Sequence, residues 1–186
     1  MTLVLIKIFS YNFFMDWQIS RSQKELLDSL FEKVEGKVKK VLDLGSGRTS
    51  IFYLTDKYKD LIIKGVVYPG DNRKTDPIKE CVKNTNYEIV ESDIKDLDFN
   101  ESFDLVLGHL FLGEAEKFAD NQFAEILDKV FEIKTKYLVL INIFKDDVIN
   151  YNLFLKKIAQ TGEIKKLSYI KSEGGDDCIG FLIKKF

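Results

Sequence analysis

The sequence predicts an α/β domain of three layers: an open, mostly parallel sheet of seven strands between helices, ending in an antiparallel C-terminal β-hairpin. Three observations predict it. Apolar, strand-like runs alternate with helical segments from about Ser20 to Ala159. The first of these runs, Val38–Leu44, drives straight into Asp43-x-Gly45-x-Gly47 and then a helix. The last two runs, Ile164–Ile170 and Ile179–Lys184, are joined only by KSEGGDDC, which is hairpin length. A parallel crossover needs about a dozen residues or more, so this pair is expected to be antiparallel.

The elements follow in order. Ser20-x-x-Gln23 and Ser22-x-x-Glu25 are overlapping capping boxes that open the first helix. Leu26, Leu27, Leu30, Phe31 and Val34 recur at helical spacing, and Gly36 closes the element. After the strand Val38–Leu44 the pattern predicts a helix over Ser50–Tyr58, then a second strand, Leu61–Tyr68. Asp76-Pro77 supplies an N-cap and a first-turn proline for a short helix to about Lys83. Tyr87–Val90 and Phe103–Leu107 are the third and fourth strands, separated by a polar crossover, Asp93–Asn100, too short for a long helix. A helix is expected from about Glu114 to Glu132, with Phe123, Ile126, Leu127, Val130 and Phe131 on one apolar face. Tyr137–Ile143, YLVLINI, is a continuous apolar run and reads as a strand covered on both faces. Asp146 or Asp147 is expected to cap a helix through about Ala159.

At 186 residues the chain reads as one domain over 20–186, preceded by an extension, 1–19, that packs on the body or lies over the site. Met15 opens a second start-like segment, so residues 1–14 read either as an extension or as a product of start-site choice. MTLVLIKIFSYNFF has no basic n-region and no small-residue cleavage site, so no signal peptide is expected. No apolar run reaches the roughly 18 residues of a membrane span. Net charge is −2 and the lysines are scattered, so no dedicated nucleic-acid surface is expected. Cys81 and Cys178 have no metal-ligand spacing and read as thiols of a cytoplasmic protein.

In Asp43-x-Gly45-x-Gly47 the glycines allow close backbone approach, and the following helix N-terminus adds a partly positive field. A second segment, IVESDIKDLDFNESFDLVL, keeps the same order and distance along the chain. Together with the αβ alternation and the final hairpin, these segments make the chain resemble the class I S-adenosylmethionine-dependent methyltransferases, a Rossmann-like fold, over residues 20–186. The resemblance implies S-adenosylmethionine as cofactor. It implies a loop of Gly45, Ser46 and Gly47 against the methionine part, oriented by Asp43, with Thr49 at the third small position. Asp93 falls where a carboxylate accepts from the adenine amino group, with Ile94 beside it. The second strand departs from the family: Val67 or Tyr68 stands where an acid usually takes the ribose hydroxyls, so Tyr68 or Asp71 is expected there instead.

Ligands of open α/β sheets sit at the carboxyl ends of the strands, so Gly108-His109-Leu110-Phe111 is expected to border the methyl group. Methyl transfer from a sulfonium is an in-line displacement in which the protein mainly holds the acceptor about 3–3.5 Å away and aligned. His109, the only histidine, reads as a base, as a lining residue or as a structural one. Glu114 reads as a first-turn acid of its own helix. The N-P-P-[YF] signature is missing, which argues against adenine-N6 and glutamine-amide acceptors. A small-molecule or macromolecular acceptor, RNA included, stays open. Tyr11, Phe13, Phe14 and Trp17 read as cover over the site or as packing. Two other readings remain: a methyltransferase-like binding or scaffold protein, and an NAD(P)-dependent oxidoreductase, which would have a third glycine and a parallel last strand.

Overall fold

Alternation along the strands decides which helix lies on which side of the sheet. In the computed structural model, which describes residues 21–58, 60–70, 86–112, 122–143, 150–171 and 177–186, strand β1 (Lys40–Leu44) is buried at every position after Lys40. Successive side chains point to opposite faces. Val41 accordingly joins one core, while Leu42 and Leu44 join the other. The first core holds Leu26, Leu27 and Leu30 of α1 (Arg21–Phe31) and Ile51 and Leu54 of α2 (Arg48–Lys57). The second holds Ile126, Leu127 and Val130 of α3 (Phe123–Glu132) and Phe154 and Ile158 of α4 (Tyr151–Thr161).

The other strands are β2 (Ile62–Val67), β3 (Tyr87–Glu91), β4 (Phe103–His109), β5 (Thr135–Ile143), β6 (Gly162–Ile170) and β7 (Cys178–Lys185). They form one sheet in the order β3-β2-β1-β4-β5-β7-β6. The pairs from β3 through β5 are parallel, whereas β7 runs antiparallel to both β5 and β6. This is the mostly parallel seven-stranded sheet with an antiparallel end that the sequence predicts. The chain leaves β1 for β2 on one side and returns to β4 on the other. The carboxyl ends of β1 and β4 therefore flank the point where the strand order reverses, the usual ligand crevice of such sheets. Helix α1 crosses β7 at Gly180, where a Cβ would come within 2.6 Å of Leu30 Cδ1.

Several boundaries differ from the expectations. Helix α1 ends at Phe31, well before Gly36, and α2 starts at Arg48, directly after the glycine loop. Helix α3 begins only at Phe123, because Gln122 holds φ −90° and ψ 5° outside the helix; the predicted helix from Glu114 is thus not continuous. Helix α4 begins at Tyr151 instead of after Asp146 or Asp147: Asn150 caps it, its Oδ1 accepting from the Leu153 N–H at 3.1 Å. The polar crossover holds one 3₁₀ turn, Ile94–Asp96. The extension 1–19, Ser20, Asp71, the predicted helix over 76–83 with Cys81, Glu114, and Asp146 and Asp147 lie outside the described residues. Among the described residues no helix is long and apolar enough to cross a membrane.

Candidate functional site

Strand β1 delivers Asp43 one residue before its end, on the α1/α2 side of the sheet, fully buried. A carboxylate there needs donors, and three hydroxyls supply them. Asp43 Oδ2 accepts from Tyr87 Oη at 2.5 Å, Ser46 Oγ at 2.6 Å and Ser50 Oγ at 2.8 Å. Ser46 Oγ and Tyr87 Oη also lie in contact with each other. Oδ1 is buried without a hydrogen-bond partner among the described residues. Burial pushes the Asp43 pKa up to about 6, although the three hydroxyls pull it down. Burial, with the Asp43 charge, pushes the Tyr87 phenol well above its ordinary range. Tyr87 reaches Asp43 because β2 carries Gly65 between them: a Cβ there would lie 2.6 Å from Tyr87 Cε1 and 2.7 Å from Ser46 Oγ.

The loop beyond is pinned from three strands. Gly45 holds φ +63°, a left-handed conformation that favours glycine. The Ser46 N–H donates to Val66 O of β2 at 2.7 Å. Gly47 precedes α2 as its N-cap, and its N–H donates to Ser50 Oγ at 3.2 Å. The loop therefore owes its shape to Asp43, Val66 and Tyr87, on β1, β2 and β3.

At the end of β4, Gly108 pairs with Leu44 and Leu140, and a Cβ on it would meet Leu140 Cδ2 at 2.8 Å. His109 follows Leu105 and Leu107 in alternation and so faces the same side as Asp43. Its Nε2 is buried with no hydrogen-bond partner, and burial pushes its pKa down to about 4. Leu110 holds φ +57°, while its N–H donates to Ile141 O at 2.7 Å. Phe111 then folds back onto the glycine loop. A Cβ on Gly45 would lie 2.9 Å from Phe111 Cδ2.

The remaining expected residues occupy the ends of β2 and β3. Val67, the last residue of β2, is buried, while Tyr68 is 67% exposed. Asp93 follows β3 and caps the 3₁₀ turn: its Oδ1 accepts from the Lys95 N–H at 3.0 Å, and Lys95 Nζ lies 3.7 Å from Oδ2. Ile94 puts its side chain into the second core. The structure thus brings Asp43, Gly45, Ser46, Gly47, Gly108 and His109 to the carboxyl ends of β1 and β4, with Tyr68 and Asp93 on the neighbouring strand ends.

Sequence reasoning missed four features here. Tyr87 and Ser50 complete the Asp43 cluster, and Gly65 makes room for it. Glu91, not Asp93, is the acid that ends β3, opposite Val67 in the register. Asn142 near the end of β5 is fully buried, with neither amide atom hydrogen-bonded among the described residues. A glycine inside a strand signals close backbone approach, so Gly65 was the one of these with a readable cue.

Solved structures share this architecture at low identity. The N-methyltransferase NodS from Bradyrhizobium japonicum WM9, in complex with S-adenosyl-L-homocysteine, superposes with a TM-score of 0.69 at 14% identity, over 89% of this chain and 88% of that one. A TehB-like SAM-dependent methyltransferase from Corynebacterium glutamicum ATCC 13032 gives 0.67 at 14% identity, over 97% and 96%. The 16S rRNA methylase ArmA gives 0.63 at 15% identity, over 89% and 83%. No family model and no curated protein matches the sequence. The fold is that of the class I S-adenosylmethionine-dependent methyltransferases.

Proposed function

We propose that the chain is an S-adenosylmethionine-dependent methyltransferase acting in the cytoplasm on a small-molecule or macromolecular acceptor. One observation carries the reading: a left-handed glycine loop at the point where the strand order reverses, pinned over a buried carboxylate with a spare acceptor atom. The residues present fit the cofactor. Gly45, Ser46 and Gly47 offer backbone to its methionine part, and Asp43 orients them and keeps Oδ1 uncommitted. Asp93 and Ile94 stand for the adenine, Tyr68 or Asp71 for the ribose, and Gly108 and His109 for the border of the methyl group.

The cofactor supplies a methyl group already activated on a sulfonium, so this chain's residues have to bind, orient and exclude water. His109 is neutral at pH 7, since burial holds its pKa near 4. A base that weak takes a proton poorly. Its Nε2 is instead an uncommitted hydrogen-bonding atom, suited to positioning an acceptor.

Calorimetry with S-adenosylhomocysteine tests the reading, with NAD(P) titrated in parallel. Binding of the first supports it, and no binding sinks it. A binding protein without catalysis is the second reading, favoured by the apolar Val67 at the end of β2. It predicts no methyl transfer to any acceptor pool. The oxidoreductase reading expects a parallel final strand, whereas β7 is antiparallel.

A further inference from the structure

Gly45 and Gly108 stand side by side where β1 and β4 end, since Leu44 is paired with Gly108. Phe111 fills the space over Gly45 and also touches Gly108, whose nearest neighbour is Leu140 Cδ2 at 2.8 Å. A Cβ on Gly45 would meet Phe111 at Cδ2 (2.9 Å), Cβ (3.4 Å) and Cγ (3.5 Å), and a Cβ on Gly108 would meet Phe111 Cβ at 3.6 Å and Cδ1 at 3.8 Å. A notch too tight for one methyl group on Gly45 cannot take an aliphatic chain alongside the ring. The backbone that seats the ring is itself unusual. Leu110 is the one non-glycine residue at positive φ among those described, a conformation disfavoured for a side chain of that size. Its N–H is held by Ile141 O, so the turn is fixed from β5.

We propose that Phe111 is an intramolecular competitor for the cofactor. Its ring occupies the place the methionine arm takes against Gly45, so the site is blocked while the ring is in and binding requires the ring to leave. This rests on the cofactor reading above and adds regulation to the same site. The apparent affinity is then the intrinsic one reduced by the fraction of molecules with the ring out.

The test is calorimetric titration of S-adenosylhomocysteine into the wild type and into Phe111→Ala, Phe111→Leu and Phe111→Trp, each first checked by thermal melting. The expected order of affinity is Ala, then Leu, then wild type, then Trp, with a gain of about tenfold for Ala if the ring is out about a tenth of the time. Stopped-flow binding should place the gain in the association rate. Equal or weaker binding by Ala and Leu, with the wild type binding, overturns the competitor and leaves the cofactor reading standing. If Phe111→Ala does not fold, the Leu and Trp variants decide by the same ranking. No binding by any of the four proteins removes both proposals.

Discussion

Asp43 and His109 end up on the same side of the sheet and at the same edge, yet the fold treats them differently. Asp43 is wrapped by three hydroxyls from the loop, α2 and β3, and every one of them helps set the loop. His109 has a buried Nε2 with no hydrogen-bond partner among the described residues. Burial drives both toward their neutral forms and hence in opposite directions, Asp43 up to about 6 and His109 down to about 4. The difference separates scaffold from site. The oxygen of Asp43 that the fold uses, Oδ2, is satisfied, whereas Asp43 Oδ1 and His109 Nε2 have no hydrogen-bond partner among the described residues and lower stability.

Removing the scaffold member should have the largest effect. Asp43→Ala leaves three buried hydroxyls without their common acceptor. At about 1–3 kcal/mol for each group that stays unsatisfied, a loss of about 4 kcal/mol is expected. Urea unfolding measures it, and a loss below about 1 kcal/mol would mean that the cluster holds nothing.

The pH dependence sharpens the contrast next. With its folded pKa raised from 3.8 to about 6, Asp43 makes the folded state bind the extra proton, so its contribution falls as pH rises through that window. With its folded pKa lowered from 6.5 to about 4, His109 leaves the extra proton on the unfolded state, so its contribution rises over pH 4–6.5. Each corresponds to about 3 kcal/mol, and in the wild type the two nearly cancel. Relative to the wild type, Asp43→Asn should gain stability with rising pH by about that amount, and His109→Leu should lose it. Chemical denaturation at pH 4, 5, 6 and 7 reads both slopes. Parallel slopes in the two variants would break the comparison.

What the sequence revealed follows from how local each feature is. The strands β1, β4 and β5, the glycine loop and the terminal hairpin are written in contiguous runs, periodicity and turn length, and each fell within a few residues. The helix starts were less legible: Asn150 caps α4 although two aspartates precede it, and α3 begins only after Gln122, where its apolar stripe begins. The site itself was half legible. Asp43, Gly45 and Gly47 lie in one short motif. Tyr87 is 44 positions from Asp43 and meets it only because β3 lies two strands away with Gly65 between. The orphaned amide of Asn142 and the seat of Phe111 likewise depend on neighbours far along the chain, which no local pattern encodes.

A smaller effect is expected where the two corners touch. Gly45→Ala puts a Cβ on a residue at φ +63° and pushes it against the Phe111 ring, for a loss of about 1–2 kcal/mol. Adding Phe111→Ala should recover the contact part and leave the backbone part. The double-mutant cycle should therefore show a favourable coupling of about 0.5–1 kcal/mol. Strict additivity would mean that the ring yields freely, and that glycine is needed at position 45 for its backbone alone.

The smallest effect is expected from His109→Leu at pH 7. There the imidazole is already neutral, so no charge is lost, and its buried Nε2 has no hydrogen bond to lose. Replacing an unsatisfied polar atom by an apolar group of similar size is near neutral or stabilising. His109 shares the face of β4 that carries Leu105 and Leu107 into the first core, so leucine suits the place. Stability should stay within about 1 kcal/mol of the wild type at pH 7 and exceed it at pH 4, where the unfolded wild-type chain gains a proton. Affinity for S-adenosylhomocysteine should change little, while methyl transfer, once an acceptor is in hand, should fall. A loss of more than about 2 kcal/mol at pH 7 would show that the fold uses His109 after all. It would then belong with Asp43 as scaffold, and the acceptor would have to be positioned by another group, of which Asn142 is the buried candidate.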